Sequence, residues 1–329
     1  MKLVIGKEFD EDALSRISES YPGIEIVTVK DADHQARELR DADILLSRFM
    51  PSDLKDSPNL KWIQFTWEGV DHLSDDLKGS DVIVTNAGGA HSIQMAEHVF
   101  SYLLTISRKV PMYLDFQKRS EWLEWPHQPL LKRLYGSTIG VLGYGRIGRA
   151  VARIAEGFGM RVLVLKRNPA DMSVEGFRED ECCDMVGAIP EKVYGPDEIQ
   201  EMLSICDFVV ITLPLTDETR GLIGKKELRL MKDDSVLVNI GRGPIVKEKD
   251  LVEALEEGWI SAAGLDVFDE EPLPPDNPLW DLDNVIITPH SGVGGDPADD
   301  KILEIFTENL KRFGKGEELI NRIDKKRGY

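Results

Sequence analysis

The sequence has few cysteines, no excess of positive charge and no long apolar run. Its three cysteines, Cys182, Cys183 and Cys206, match neither a secreted disulfide framework nor the paired spacing of a zinc site. The formal net charge is −19, which argues against a nucleic acid or an anionic membrane as partner, because clustered Lys and Arg hold both. The apolar run 3–5 is too short for a signal-peptide core, and no stretch approaches a membrane span. We therefore expect a cytoplasmic protein that binds a small molecule.

The sequence does contain a regular alternation of short apolar runs with amphipathic stretches. Such alternation is typical of α/β folds in which helices connect the strands of parallel sheets. At 329 residues the chain also exceeds what one hydrophobic core usually supports. The runs that predict strands are residues 2–5, 24–27, 44–46, 61–65, 82–84, 138–142, 161–165, 208–213, 235–240, 262–267 and 285–288. They fall into two sets, which predicts two doubly wound α/β domains with a cleft between them.

A mostly helical stretch from about residue 92 to residue 134 separates the two sets of predicted strands. Residues 299–313 repeat apolar side chains at helical spacing and are too few to form another domain, so we expect them to pack on the first domain. The first domain is thus predicted to be discontinuous, with residues 1–101 and 294–329. The second is predicted to span residues 102–293.

A glycine-rich turn follows the apolar run 138–142. Gly143, Gly145 and Gly148 form a G-x-G-x-x-G pattern between a predicted strand and a predicted amphipathic helix, which is the context that dinucleotide binding requires. The first glycine permits the tight turn, the second lets the backbone approach a pyrophosphate, and the third lets helix and strand pack closely. The pattern predicts that the second domain is a Rossmann domain. The alternative is that these glycines only end a strand and open a loop.

The end of the next predicted strand carries two cations, Lys166 and Arg167. An NAD-specific domain usually has an acidic residue here, about 20 residues after the glycine turn, which accepts hydrogen bonds from the ribose 2′-OH. Two cations instead favour the 2′-phosphate of NADP. We expect NADP to be preferred and NAD to be possible. In the alternative interpretation the cations form a solvated strand end, and the role of the adjoining loop 169–195 stays open.

Five segments of the sequence form one recognisable pattern. They are the glycine turn, LPLTDETRGLI (213–223), VNIGRGPIVKEKDLVEAL (238–255), AAGLDVFDEEPLP (262–274) and NVIITPHSG (284–292). Together they resemble the D-isomer-specific 2-hydroxyacid dehydrogenase family. The resemblance runs through residues 136–292 and extends more weakly to both ends of the chain. It implies a glyoxylate or hydroxypyruvate reductase-like enzyme with a Rossmann cofactor domain, a flavodoxin-like substrate domain, and a homodimer built on residues 92–135.

The resemblance also implies the residues at the reacting centre, Arg242, Glu271 and His290, with Asp266 near the nicotinamide carboxamide. The chemistry agrees, because hydride delivery to a keto carbon leaves negative charge on oxygen and an imidazole can protonate it near neutral pH. A carboxylate on the other ring nitrogen fixes the tautomer and stabilises the imidazolium. An arginine can bind the carboxylate of a 2-oxo acid through two parallel hydrogen bonds.

Further contacts are implied at the cofactor and at the substrate. The substrate carboxylate is expected at a turn of the first domain, where this sequence has Trp67, Glu68 and Gly69, together with Arg242 and His290. Trp67 would narrow the pocket, and an inward-facing Glu68 would repel a carboxylate. The cofactor set comprises Gly143, Gly145, Arg146, Ile147, Gly148, Lys166, Arg167, Leu213, Pro214, Thr219, Ile240, Gly241 and Asp266.

Other interpretations of the same sequence remain open. A nucleotide-sensing corepressor can share this fold without catalysis, since fold alone does not determine function. A phosphite or formate dehydrogenase of related fold is also possible, although Glu271 in place of a glutamine disfavours formate. His91, Glu97 and His98 lack the H-E-x-x-H spacing of a zinc site, so we expect no metal there and assign them to helix packing.

Overall fold

The computed structural model describes residues 1–51, 54–69, 73–174, 176–177, 184, 186–293 and 299–325. The chain folds into two compact units. The first comprises Met1–Ala90, Glu175–Glu179 and Asp296–Tyr329, and the second comprises His91–Val174 and Asp180–Gly295. The predicted boundary at residue 101 lies inside a helix that belongs wholly to the second unit. The assignment of a substrate role and a cofactor role to these units stays a prediction.

The first unit contains a parallel five-stranded sheet in the order β2-β1-β3-β4-β5. This is the flavodoxin-like order of doubly wound folds. The strands are β1 (Lys2–Gly6), β2 (Glu25–Thr28), β3 (Ile44–Ser47), β4 (Trp62–Phe65) and β5 (Ile83–Thr85). The helices are α1 (Glu11–Ser20), α2 (Ala32–Glu38), α3 (Asp75–Lys78) and α10 (Asp299–Lys315), with a 3-10 turn at Leu39–Asp41.

The C-terminal helix α10 packs on the sheet of the first unit, as its apolar spacing predicted. Trp62 of β4 is fully buried, and its ring stacks on Phe306 and Phe313 with centroids 5.2 and 5.5 Å apart. Aromatic stacking of this kind adds stabilisation beyond the buried area alone. The unit is therefore assembled from both ends of the chain.

The second unit contains a parallel seven-stranded sheet in the order β12-β11-β10-β9-β6-β7-β8. This is the Rossmann order with one strand added beyond β11. The strands are β6 (Thr138–Leu142), β7 (Arg161–Leu165), β8 (Lys192–Tyr194), β9 (Phe208–Ile211), β10 (Val236–Asn239), β11 (Ala262–Leu265) and β12 (Val285–Ile287). The helices are α4 (Ser92–Ser107), α5 (Val110–Lys118), α6 (Arg146–Gly157), α7 (Ile199–Ile205), α8 (Lys225–Leu228) and α9 (Glu248–Glu256), with 3-10 turns at Pro196–Glu198, Gly243–Ile245 and Pro278–Asp281.

Each predicted apolar run forms a strand, with ends that shift by at most two residues. Two features differ from the sequence prediction. The edge strand β8 was not predicted, because it has only three residues and its Lys192 is exposed. The stretch 92–134 is helical only to Lys118, and Pro126 and Pro129 lie in the part beyond it. Ser120 has a left-handed backbone with φ of 55°, which ends α5, and the two prolines, which lack the N–H that a helix needs, disfavour a new helix after it. None of the helices in the described ranges combines the length and the apolar composition that a membrane span requires.

Candidate active site

The residues predicted at the reacting centre follow three neighbouring strands of the second unit. Arg242 comes after β10, Glu271 after β11 and His290 after β12, and these strands are adjacent in the sheet. The strands are parallel, so their carboxyl ends share one edge, which is where open α/β sheets bind ligands. The fold thus brings the loops that carry the three residues to one edge of the second unit.

His290 and Glu271 form a hydrogen-bonded pair. The distance from Nδ1 of His290 to Oε2 of Glu271 is 2.7 Å. The other carboxylate oxygen of Glu271 accepts the N–H of Phe268 at 3.0 Å, which orients the carboxylate toward the ring. The imidazole is about half exposed, at 52% of its side-chain surface, so it remains accessible to a small molecule. A carboxylate on Nδ1 selects the tautomer in which Nδ1 is protonated.

The backbone of His290 is in the left-handed region, with φ of 49°. This conformation is uncommon for a residue with a side chain, and it persists where surrounding contacts fix it. Here the N–H of His290 donates to the carbonyl of Asp266 at 2.9 Å. The carboxylate of Asp266 accepts the N–H groups of Ser291 at 2.8 Å and Gly292 at 3.0 Å. Asp266 therefore holds the turn that presents His290.

The carboxylate of Asp266 is almost completely buried, with 1% of the residue exposed. Burial alone raises the pKa of a carboxyl group, but hydrogen bonds from His98, Thr288 and the N–H of Ser291 outweigh it and lower the pKa of Asp266. The group is therefore ionised at neutral pH. The resemblance implied that Asp266 lies near the nicotinamide, which stays a prediction; in the structure much of its accepting capacity is used by the turn 288–292.

Arg242 lies on a loop that is fitted closely against the loop of Glu271. Its guanidinium Nη1 donates to the carbonyl of Gly241 at 2.7 Å. The side-chain amide of Asn239 accepts the N–H of Gly241 at 3.1 Å and donates to the carbonyl of Arg242 at 3.0 Å. A Cβ on Gly243 would lie 2.0 Å from the backbone of Phe268. Only glycine permits this approach, so the N-I-G-R-G sequence packs the arginine loop beside the loop that bears Glu271.

His98 and Tyr102 of α4 also meet this edge, which the sequence did not predict. Nε2 of His98 lies 3.1 Å from Oγ1 of Thr288 and 3.2 Å from the hydroxyl of Tyr102. The Tyr102 and Thr288 hydroxyls are hydrogen-bonded to each other, and burial raises the pKa of Tyr102 well above its usual range. Helix packing, which the sequence assigned to His98, describes only part of these contacts. The signal was weak, since His98 and Thr288 are 190 residues apart in the chain.

The glycine turn combines two tightly packed glycines with one that borders open space. Gly143 has φ of 102°, and a Cβ on Gly148 would lie 2.1 Å from the carbonyl oxygen of Gly143, so neither tolerates a side chain. Gly145 is different, because a Cβ there would meet no atom within 4 Å. The backbone of Gly145 thus borders open space at the N-terminus of α6, where no side chain caps the helix. These residues fit a bound pyrophosphate at the helix N-terminus.

The cationic strand end after β7 is partly enclosed. Burial lowers the pKa of Lys166; Asp171 opposes this shift, whereas Arg149 and Arg167 reinforce it. Arg149 is itself buried and hydrogen-bonds the carbonyls of Met172 and Asp184, which anchors these two residues on α6. Cys182 and Cys183 lie outside the described residues.

The other predicted cofactor residues follow strands of the same sheet or begin helix α6. Leu213 and Pro214 follow β9, and Ile240 and Gly241 follow β10. The hydroxyl of Thr219 donates to the carbonyl of Pro214 at 2.7 Å and so closes its own loop. Arg146 and Ile147 open α6 directly after the glycine turn and are partly buried. The contact of these residues with a cofactor stays a prediction.

The predicted substrate turn belongs to the first unit. The ring of Trp67 stacks on Phe65 with centroids 4.4 Å apart, and its carbonyl accepts the N–H of Ala87 at 3.0 Å. The carbonyl of Glu68 accepts the side-chain amide of Asn86 at 2.6 Å, and Gly69 follows as a partly exposed residue. These bonds fix the backbone of the turn. In the described residues no group of three or more His, Cys, Asp or Glu side chains is arranged to hold a metal ion.

Comparisons with known proteins consistently indicate one family. The family model of the D-isomer specific 2-hydroxyacid dehydrogenase NAD binding domain matches residues 100–292. The glyoxylate reductase of Korarchaeum cryptofilum is 34% identical over 98% of this chain and 96% of its own length. The D-3-phosphoglycerate dehydrogenase of Methanocaldococcus jannaschii is 35% identical over 98% of this chain, which spans 59% of that protein.

A crystal structure from the same family also matches this chain. A D-isomer specific 2-hydroxyacid dehydrogenase from Xanthobacter autotrophicus Py2, in complex with NADPH and MES, has a TM-score of 0.81 at 30% sequence identity. The alignment covers 100% of this chain and 99% of that chain. The chain therefore belongs to the D-isomer specific 2-hydroxyacid dehydrogenase family, and it is an NAD(P)-dependent oxidoreductase that interconverts 2-oxo and 2-hydroxy acids.

Proposed function

We propose that the protein is a cytoplasmic, NADPH-dependent reductase of short 2-oxo acids that yields the D-2-hydroxy acid. The observation that carries this proposal is the His290–Glu271 pair, joined at 2.7 Å on the same sheet edge as the dinucleotide turn. A bound nicotinamide supplies the hydride. The residues of this chain must then bind the carboxylate of the substrate, orient its carbonyl and deliver one proton.

His290 is the proton donor in this proposal. Since Nδ1 is bonded to Glu271, Nε2 is the ring atom that can donate to the substrate oxygen as negative charge develops there. The carboxylate of Glu271 stabilises the charged imidazole before transfer and keeps its orientation afterwards. Glu271 thus acts through His290 and need not itself change protonation.

Arg242 binds the substrate in this proposal. Its guanidinium offers several donors in one plane, which suits two parallel hydrogen bonds to the carboxylate of a 2-oxo acid. The tight packing of Gly243 against Phe268 fixes the loop from which Arg242 extends. Holding the substrate in this way favours reaction because the reacting atoms no longer need to find each other. The backbone of residues 67–69 is proposed as a second support for the carboxylate.

The proposed preference for NADPH rests on Lys166 and Arg167. Burial and two neighbouring arginines disfavour the charged form of Lys166, so a dianionic phosphate placed there would relieve an existing repulsion. The family member from Xanthobacter autotrophicus was crystallised with NADPH, which supports the same preference here. Use of NADH at lower efficiency is compatible with this arrangement.

Glyoxylate and hydroxypyruvate are the proposed substrates. The relative from Korarchaeum cryptofilum is a glyoxylate reductase, and Trp67 in the substrate turn is bulky, which favours a short chain. We expect kcat/KM with NADPH to be at least about tenfold higher for these two acids than for a branched longer 2-oxo acid, since a few methylenes are worth that much in a closed pocket. NADPH oxidation followed by absorbance, with both cofactors and all three acids, measures this.

The same assay separates the competing functions. Tight NADPH binding without turnover on any 2-oxo acid would indicate a nucleotide-sensing protein rather than an enzyme. If the protein reduces NADP with formate or phosphite, that compound is its substrate instead of the proposed 2-oxo acids. Efficient turnover of the branched acid would contradict the role given to Trp67.

We also propose a homodimer that uses the non-helical segment after α5. Trp122 and Trp125 are 85% and 81% exposed, and Leu130 and Tyr135 are 98% and 76% exposed. Large apolar side chains grouped in this way usually mark an interaction surface. Light scattering is expected to give twice the chain mass, and Trp122→Ser with Trp125→Ser to shift it toward the monomer. A monomeric wild-type protein at micromolar concentration contradicts this proposal.

A further inference from the structure

A hydrogen-bonded chain of side chains joins α4 to the turn that carries His290. It runs from His98 and Tyr102 through Thr288 to Asp266, and we call it the His98 network. Nε2 of His98 lies 3.1 Å from Oγ1 of Thr288 and 3.4 Å from Oδ1 of Asp266, while only 17% of its side chain is exposed. Thr288 and Asp266 are hydrogen-bonded directly. The network is therefore continuous and mostly enclosed, with Asp266 and Tyr102 buried and the other two residues partly exposed.

The donors and acceptors of the network can be assigned from its chemistry. The buried carboxylate of Asp266 only accepts, so the hydroxyl of Thr288 must donate to it. The phenol of Tyr102, whose pKa burial raises, keeps its proton and donates to the oxygen of Thr288. Every hydroxyl proton is then committed, so Nε2 of His98 must be the protonated donor. Its proton points toward the Thr288–Asp266 pair.

The other side of Asp266 holds the catalytic turn. Its carboxylate accepts the N–H groups of Ser291 and Gly292, and its carbonyl accepts the N–H of His290. A buried charge is costly unless enough donors surround it, and removing one of them leaves the group incompletely satisfied. The conformation of the turn, with His290 at φ of 49°, also needs support from outside the turn. The carboxylate of Asp266 therefore depends on its donors, and the turn that carries His290 depends on Asp266.

From this geometry we propose that His98 is a positioning residue for the reduction: through Thr288 and Asp266 it fixes the turn that presents the imidazole of His290 to substrate. The proposal rests on the proton-donor role proposed for His290. The hydrogen bonds of His98 reach Tyr102 and Thr288, on the side of the turn that carries His290, and not the glycine turn or Lys166, where the diphosphate and the 2′-phosphate are proposed to bind. Its effect is therefore expected on the rate of the chemical step rather than on the affinity for cofactor.

The test replaces His98 by leucine and by glutamine. His98→Leu removes the donor while keeping the apolar bulk, and we expect kcat to fall on the order of 10- to 100-fold, because a small misplacement of a catalytic group has effects of that size. His98→Gln retains an N–H donor and is expected to stay within about threefold of wild type. The dissociation constant of NADPH, from its fluorescence, should change less than about twofold in both.

Two further variants separate positioning from general loss of stability. Thr288→Val removes the linking hydroxyl, and its loss in kcat should not add to that of His98→Leu, because both break one network. Ser107→Ala alters another buried side chain of α4 and should leave kcat unchanged. If His98→Leu does not fold, the test compares the two single variants Thr288→Val and His98→Gln: kcat should fall in the first and stay near the wild-type value in the second.

A readout independent of turnover is the ring of His290 itself. Two-bond proton–nitrogen correlations of the imidazole, assigned with His290→Gln, should show one tautomer in wild type and an averaged ring in His98→Leu. An unchanged spectrum with unchanged kcat would overturn the proposal. A loss confined to NADPH affinity would also overturn it. Failure of the wild type to reduce any 2-oxo acid would instead overturn the proposed function, while the spectrum still reports on the turn.

Discussion

His290→Gln is expected to lower kcat by about 10³- to 10⁴-fold with glyoxylate, because glutamine cannot supply a proton at neutral pH as imidazole does. The dissociation constant of NADPH should stay within about twofold of wild type, since His290 lies on a loop after β12 and the glycine turn lies after β6. Stopped-flow single turnover and fluorescence titration measure the two quantities separately.

Glu271→Gln is the matched comparison for this variant. It keeps an oxygen that can accept the Nδ1 proton of His290 but removes the negative charge that stabilises the imidazolium. A loss smaller than that of His290→Gln is expected, again in kcat. Undiminished turnover in His290→Gln would refute the proton-donor role, and an equal loss of NADPH binding would show that the variant disturbs the fold of the site.

The second large effect is expected when Lys166 and Arg167 are both replaced by alanine. The dissociation constant of NADPH should rise on the order of 10- to 100-fold, since two charge-assisted contacts to the 2′-phosphate are lost and each tenfold change is about 1.4 kcal/mol. Lys166, which is partly buried, should contribute more than Arg167, which is exposed and screened by solvent. The constant for NADH should change less than about twofold.

The control for this variant removes the same charge at another surface. Lys225 and Arg229 both lie against the ring of Trp259, away from the glycine turn in sequence, and their double replacement by alanine alters the net charge equally. It should leave both cofactors unaffected. Equal losses for NADPH and NADH in Lys166→Ala with Arg167→Ala would contradict a 2′-phosphate site. A wild-type enzyme that strongly prefers NADH would contradict the NADPH proposal before any mutation is made.

The sequence locates site residues most directly where they lie just after apolar runs. Arg242, Glu271 and His290 follow strands that the hydrophobic pattern alone located, and parallel strands end on one edge of their sheet. The glycine turn is likewise a local signal, since strand, turn and helix follow each other within residues 138–157. Such features depend on neighbours in the chain, and composition and periodicity report on those neighbours.

The sequence by itself determined the two sets of strands, the dinucleotide turn and the loops that carry the candidate catalytic residues. Only the tertiary structure decided the order of the strands, the short edge strand β8, the end of helical structure at Lys118 and the contact between His98 and Thr288. The physical reason is the separation along the chain of the residues that determine each feature. Periodicity records which face of a segment is buried, whereas a hydrogen bond between residues 190 positions apart depends on how the packed elements meet.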